Sequence, residues 1–221
     1  MMELTKKRLQ RREEQQRRQR REILAEALEL FSRRGYHNVS MNDIAQEAAY
    51  AVGTIYKFFS SKEELYRAII SDVSEQFAAA AAAALAAEGN EYEKIIAYLQ
   101  AGSRVFRSNS KAVRLYFAET HGVSFNFRTG LDRETVAMHE QMLASLAAVF
   151  AAGIEKGFFH PLDPEMLARA LDSLALAFLF VWLDDTRKCS AAENLEMIEK
   201  IFFRGVMTPS GKKLLLSAEG R

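Results

Sequence analysis

Nine lysines and arginines crowd into the first 21 residues of this chain: Lys6, Lys7, Arg8, Arg11, Arg12, Arg17, Arg18, Arg20 and Arg21, against Glu3, Glu13 and Glu14. That is +6 locally on a chain whose net charge is only +1. Residues 1–67 carry fourteen bases and ten acids, and the remainder sixteen and nineteen, so +4 is followed by −3. A basic end on a near-neutral body points to a polyanion met at that end, or to a tail solvated by its own charges. Side chains suited to covalent or metal chemistry are sparse. His37, His121, His139, His160 and the single Cys189 lack metal-ligand spacing, so no metal and no cofactor is expected. There is no glycine-rich phosphate loop, nucleophile motif or His-x-x-x-His pair, which argues against an enzyme.

The elements that position these residues read as helices. The chain is 49% apolar, with three prolines and eleven glycines in 221 residues, a composition that excludes disorder and favours an all-α fold. One cysteine and a charged start without an apolar signal-like core suggest a reducing cytoplasm. The longest apolar run, Leu174 to Leu183, has ten residues where a membrane span needs about twenty, so a soluble protein with no membrane span is expected. Ser40-x-x-Asp43, Ser61-x-x-Glu64, Asn90-x-x-Glu93, Thr129-x-x-Asp132 and Ser190-x-x-Glu193 read as helix starts. In each, a short side chain accepts from an orphan amide and an acid three residues on reaches back. Asp163-Pro164 is a sixth start, with proline in the first helical position. Nine helices follow: from within the basic arm to about Arg34, then about 41–48, 52–58, 62–87, 91–107, 110–120, 131–156, 164–184 and 191–204. A loop is expected over 121–129. The seven alanines at 78–84 read as a helix segment of thin profile.

Asn42–Phe59 reads NDIAQEAAYAVGTIYKFF. Two short helices are joined by a tight turn, and Ile44, Ala45, Ala48, Val52, Ile55 and Phe59 can share a small core. Helices this short are marginal alone, so a presenting role suits them: a helix-turn-helix whose second helix enters the major groove.

From Arg21 to Tyr66 the sequence resembles the DNA-binding domain of the TetR family. The resemblance rests on Ile23-Leu24 with Ala27, Leu30-Phe31, Gly35-Tyr36, Ile44-Ala45, Gly53-Thr54-Ile55-Tyr56, Phe59 and Ser61-Lys62-Glu63 at their spacing. It implies roles. Ser40, Tyr56 and Lys62 would touch backbone phosphates, with Lys57 a further contact. Thr54 would sit on the groove-facing side of the third helix, and Gly53 would let the backbone come close. Such hydroxyl and ammonium donors fix register on DNA. The arm, with Arg17, Arg18 and Arg20, would extend the first helix or run along phosphates or into the minor groove. The sequence departs from the family pattern at the turn. Ala49 stands where glycine is usual, Tyr50 where a small aliphatic residue is usual, and Ala51 where a hydroxyl is common. A left-handed Ala49 would cost about 1 kcal/mol. Tyr50 would overpack the core by about 1–3 kcal/mol unless it points outward or faces the groove.

Aromatic and sulfur side chains recur at helical spacing in the later helices: Phe77, Tyr98, Phe106, Tyr116, Phe117, Met138 and Met142. They are either plain core or, as the resemblance implies, an effector pocket closed by the eighth helix, with Phe178 and Trp182 in its lining or in the dimer seam and His121 and His139 as polar contacts. A mostly apolar pocket suits an apolar or amphipathic small molecule. The eighth helix is apolar almost all round, which requires cover on both sides. In the family the last two long helices pair with their copies, giving a homodimer that presents two recognition helices. The expectation is therefore an all-α chain of about nine helices. Residues 1–66 would form an arm and helix-turn-helix, and 67–221 a helical effector-binding and dimerisation domain. Its function would be that of a ligand-responsive DNA-binding regulator, a repressor by preference. The alternative is a helical scaffold that uses the basic arm on nucleic acid without reading an operator.

Overall fold

The computed structural model of the chain describes residues 2–120, 131–185, 187 and 190–218, with side chains except at 2–5 and 214–218. Among these residues the regular structure is helical and no strand occurs: α1 Met2–Arg34, a 3₁₀ turn Tyr36–Asn38, α2 Met41–Glu47, α3 Val52–Phe58, α4 Lys62–Ala86, α5 Glu91–Ser108, α6 Ser110–Thr120, α7 Arg133–Glu155, α8 Pro164–Asp184, α9 Ala191–Ile198, a π-helical turn Glu199–Phe203, α10 Arg204–Val206 and α11 Pro209–Ala218. The expected all-α class is found. The expected ninth helix is interrupted. Its π turn carries the chain onward with the Arg204 amide bonded to the Glu199 carbonyl. The tail after Thr208, left without an assignment by its sequence, adds α11.

The caps account for most boundaries. Ser40, Asn90 and Ser190 each form a full reciprocal capping box with Asp43, Glu93 and Glu193, and Asp163 caps α8 ahead of Pro164. Two starts differ from expectation. At α4 the Ser61 hydroxyl accepts from the Glu64 amide at 3.2 Å, but the Glu64 carboxylate turns instead to the Ser60 amide and hydroxyl, both at 2.6 Å. At α7 the cap is Asp132, accepting from the Thr135 amide at 2.7 Å, and Thr129 lies outside the described residues. So do the expected loop at 121–129, His121 and Cys189.

The chain divides into two units: Met1–Asp72 with Lys111–Leu131, and Val73–Ser110 with Asp132–Arg221. The first buries Ile23, Ala27, Leu30 and Phe31 of α1, Ile44 and Ala45 of α2, Ile55 of α3, and Leu65 and Ile69 of α4. The i, i+4, i+7, i+8 spacing on α1 is the amphipathic stripe that its second half requires; the first half has no such stripe, and residues 6–18 are exposed throughout. The second unit is built on Ala81 and Leu85 of α4, Tyr92, Ile95, Tyr98 and Leu99 of α5, Met142, Leu143, Leu146, Ala147 and Phe150 of α7, and Leu167, Ala168 and Leu171 of α8. Of the alanine run only Ala81 is fully buried. The rest forms ordinary exposed or half-exposed helix surface.

One expectation about the long helices is corrected. A ten-residue limit on apolar runs understates them: α4, α7 and α8 are each long and apolar enough to cross a membrane by length and composition, because alanine dilutes their polar residues. Within one chain α8 keeps one face uncovered. Met166, Ala170, Ser173, Ala177 and Val181, one helical stripe, are exposed.

The α2–α3 turn shows what the departure at Ala49 costs. The Tyr50 amide reaches the Ala45 carbonyl at 2.9 Å and the Ala49 amide the Gln46 carbonyl at 3.2 Å. This is the paired Schellman closure, which needs a left-handed residue at its apex. That residue is Ala49, with φ of 55°, among the described residues the only non-glycine at positive φ. The same closure ends α7, where Phe158 and Gly157 bond to Gly153 and Ile154 and the apex is Gly157 at φ 74°. Replacing Ala49 by glycine is expected to stabilise the protein by about 1 kcal/mol. In a thermal melt of a chain this long that is a rise of about 2–4 °C. No rise would mean that the αL strain is relieved elsewhere.

Candidate functional site

Helix α3 is held by very little. Ile55 is fully buried and Phe59, at its C-cap, nearly so; these two, four residues apart, are its anchors. Phe58 is half-buried, and the remaining side chains form its outer surface. Gly53 and Lys57 are exposed, Thr54 is half-buried, and Val52 and Tyr56 are 38% and 53% exposed. A Cβ built at Gly53 would meet nothing within 4 Å. The protein's own packing therefore does not require glycine there, and the backbone is bare on its outer side. The first turn of α3 has no side-chain cap, since Ala51 stands at the N-cap; the Thr54 amide bonds instead to the Ala51 carbonyl at 2.7 Å.

Tyr50 neither overpacks the core nor stands free. Its hydroxyl donates to Glu22 of α1 at 2.6 Å, and Arg18 donates to the same carboxylate at 2.8 Å. The Tyr50 hydroxyl and then Arg18 hold the Glu22 carboxyl below its ordinary value. The turn is thereby tied to α1. Arg20 lies over the Phe59 ring at 5.2 Å, so the same stretch of α1 touches residues just before and just after α3. Arg17 is exposed.

The other expected contacts sit around this helix with their donors partly used. The Ser40 hydroxyl is engaged with Asp43, whose carboxyl this capping box holds low. The Lys62 ammonium donates to the Tyr36 carbonyl at 2.9 Å and lies 4.4 Å from that ring's centre. An ammonium has three donors, so two remain for another acceptor. Tyr36 itself packs between Phe31 and Tyr66. Burial, with Glu63 nearby, pushes its hydroxyl up to about 12.

The expected effector residues do not form one group. Tyr116 and Phe117 belong to the first unit, ring against ring at 5.1 Å. In the second unit Phe77 lies between Tyr98 and Phe106, at 5.9 and 4.9 Å, over Gly102, where a Cβ would come within 2.9 Å of the ring. Met142 is buried in the same core and Phe178 packs on it. Met138 is half-buried, and Trp182 is buried beneath Arg107, 4.6 Å from its ring. One polar group enters this apolar interior, and its central member was missed. Asp172 accepts from the buried Tyr98 hydroxyl at 3.1 Å and meets His139 Nε2 at 3.2 Å. Burial, then Asp172, pushes the Tyr98 hydroxyl well up, so it stays a donor. A lone acid within the apolar stretch Leu167–Leu183 was the available signal.

Residues 23–69 match the sequence profile described as bacterial regulatory proteins, tetR family. The chain is 27% identical over 168 residues to the HTH-type transcriptional regulator YhgD of Bacillus subtilis (strain 168), across 72% of this chain and 82% of that protein. It is 27% identical over 175 residues to the HTH-type transcriptional repressor KstR of Mycolicibacterium smegmatis, across 79% and 80%. A TetR/AcrR-family regulator from Thermobifida fusca superposes with a TM-score of 0.68 at 26% identity, covering 84% of this chain and 97% of the other.

The Tyr50–Glu22 bond carries a pH dependence. Because the folded state depresses the Glu22 pKa, the tie stabilises above the ordinary glutamate value of 4.5 and is lost as pH falls through the depressed one. Tyr50→Phe is therefore expected to lower the melting temperature at pH 7, with the gap closing in acid. A gap independent of pH would show that the hydroxyl does not act through the carboxylate.

Proposed function

We propose that the chain is a member of the TetR family of bacterial regulatory proteins, whose profile matches residues 23–69, and that it is a cytoplasmic, homodimeric transcriptional repressor released from its operator by a small-molecule effector. Residues 1–66 are assigned to the operator and 67–221 to effector binding and dimerisation. The observation that carries the reading is the display of α3: two buried anchors and an outward surface of Gly53, Thr54, Tyr56 and Lys57, beside which Lys62 keeps donors for phosphate and Ser40 would reach phosphate by giving up its bond to Asp43. Repression is favoured over activation by coverage. The match to the repressor KstR spans 80% of that protein, whereas that to the activator FasR of Mycolicibacterium smegmatis spans 45% of it.

A second copy would cover the exposed stripe of α8 together with Met197 and Ile201, which are 46% and 57% exposed. A two-fold pair then presents two copies of α3 to half-sites about 34 Å apart or a multiple of it. The effector reading rests on the second unit's interior. An apolar body would pack on Phe77, Phe106 and Phe178, and a hydrogen-bonding group would engage Asp172 and His139. This gives an amphipathic ligand.

Two variants test the reading. Gly53→Ala fills empty space in a helix, so it should keep or raise stability, by up to about 1 kcal/mol, yet weaken binding to upstream DNA tenfold or more. Selectivity would be read by anisotropy against random duplex. Selective wild-type binding that Gly53→Ala leaves unchanged would remove α3 from the interface, and salt-sensitive binding without selectivity would favour the scaffold. Met197→Glu with Ile201→Glu should give a folded monomer with lost operator affinity. A folded dimer would place the seam elsewhere.

A further inference from the structure

The first half of α1 has no part in the interior, yet it is continuous helix. From Met2 to Gln19 it spans roughly 25 Å at 1.5 Å per residue, and residues 6–18 bury nothing. Its charges are sorted around the helix axis. Lys7, Arg8, Arg11, Arg12, Gln15 and Arg18 recur at i, i+1, i+4, i+5, i+8 and i+11 and so share one side. Of the acids, Glu13 falls on the other side with Lys6 and Arg17, and Glu14 flanks the stripe one turn before Arg18. Arg8 and Arg12 stand one turn apart with no acid three or four residues to either side, an arrangement that costs an isolated helix a few tenths of a kcal/mol. Continued toward the protein, the basic side reaches Glu22, whose carboxylate holds the Tyr50 hydroxyl two residues before α3. The basic stripe and the start of the recognition helix therefore lie on the same side of α1.

We infer that this stretch is a rigid strut that lays Lys7, Arg8, Arg11 and Arg12 along the phosphates flanking each half-site. The inference rests on the operator reading above and extends it to bases outside the helix-turn-helix. It also selects between the modes open to a basic arm. A helix about 10–12 Å across cannot enter a minor groove about 6 Å wide, so a helical arm rides the backbone and leaves the minor groove unread. Its length corresponds to about 7 bp of duplex at about 3.4 Å per phosphate along a strand. The contacts are charge to phosphate, so they add affinity and footprint without sequence preference.

The test uses the full chain and a duplex selected by the protein from a random-sequence library, with flanks of either no or ten added base pairs, across a salt series. Arg8→Gln with Arg11→Gln and Arg12→Gln should reduce the slope of log affinity against log salt by about 2.7, at about 0.9 per lost phosphate contact, and abolish the gain from the added flanks. Lys6→Gln, on the opposite side, should leave both nearly unchanged, whereas an unsided tail would lose as much per charge there as on the stripe. Gln16→Pro keeps every charge but breaks the helix at an exposed site. It should shorten the protected footprint and cost the flank gain without lowering the melting temperature. Equal losses from the two sides of the helix, or a Gln16→Pro chain that binds like wild type, would overturn the strut in favour of a solvated flexible tail. Binding to vesicles of phosphatidylglycerol that the stripe variants abolish, with the operator slope intact, would overturn it in favour of a membrane surface. A wild-type chain that selects no sequence at all would instead sink the operator reading on which the strut depends.

Discussion

The display of α3 depends on the burial of one side chain, Ile55. A seven-residue helix has too few internal hydrogen bonds to offset the order it requires, and α3 lacks even a side-chain cap. What holds it is the insertion of Ile55, and of Phe59 one turn later, into the interior that α1, α2 and α4 provide. Full burial of one such aliphatic side chain is worth about 1.5–3 kcal/mol. That leaves little in reserve, and the rest of the first unit can be read as support for it: the Ser40 box that fixes the start of α2, the Schellman closure that ends it, and the long second half of α1 beneath both.

The turn at Ala49–Ala51 works against this economy, and Tyr50 offsets part of the damage. Alanine at the αL apex strains the backbone, and alanine at the N-cap gives α3 no side-chain cap. Tyr50 turns away from the small core and anchors its hydroxyl on Glu22, 28 residues earlier.

Most of the helical frame was legible because the signals are local. A short polar residue with an acid three positions later determines a helix start with little help from elsewhere, and Ser40, Asn90, Ser190 and Asp163 behave so. Where two serines compete, as Ser60 and Ser61 do for Glu64, the local rule names the right helix and the wrong partner. The π turn at Glu199–Phe203 left no mark, since Ile198, Ile201 and Phe202 fit an α-helical stripe; only the pairing of Phe203 with Tyr92 shows which way the chain turns. Contacts of long sequence separation were not legible: Tyr50 with Glu22, Lys62 with the Tyr36 carbonyl, Tyr98 and His139 with Asp172. The expected effector residues were chosen by type and spacing, and those rules do not separate Tyr116 and Phe117, which belong to the first unit, from the rings gathered around Phe77.

Asp172 bears on how an effector could act. A carboxylate in an apolar interior is costly unless its oxygens are satisfied, and here Tyr98 and His139 serve both. That arrangement fastens α8 to α5 and α7 by polar contacts that a ligand can compete for, whereas the surrounding aliphatic packing offers it nothing to exchange. Any effect on DNA must then come from a difference in ligand affinity between two states of the chain. Gly102 leaves room for the Phe77 ring, so a side chain there would press on the same interior.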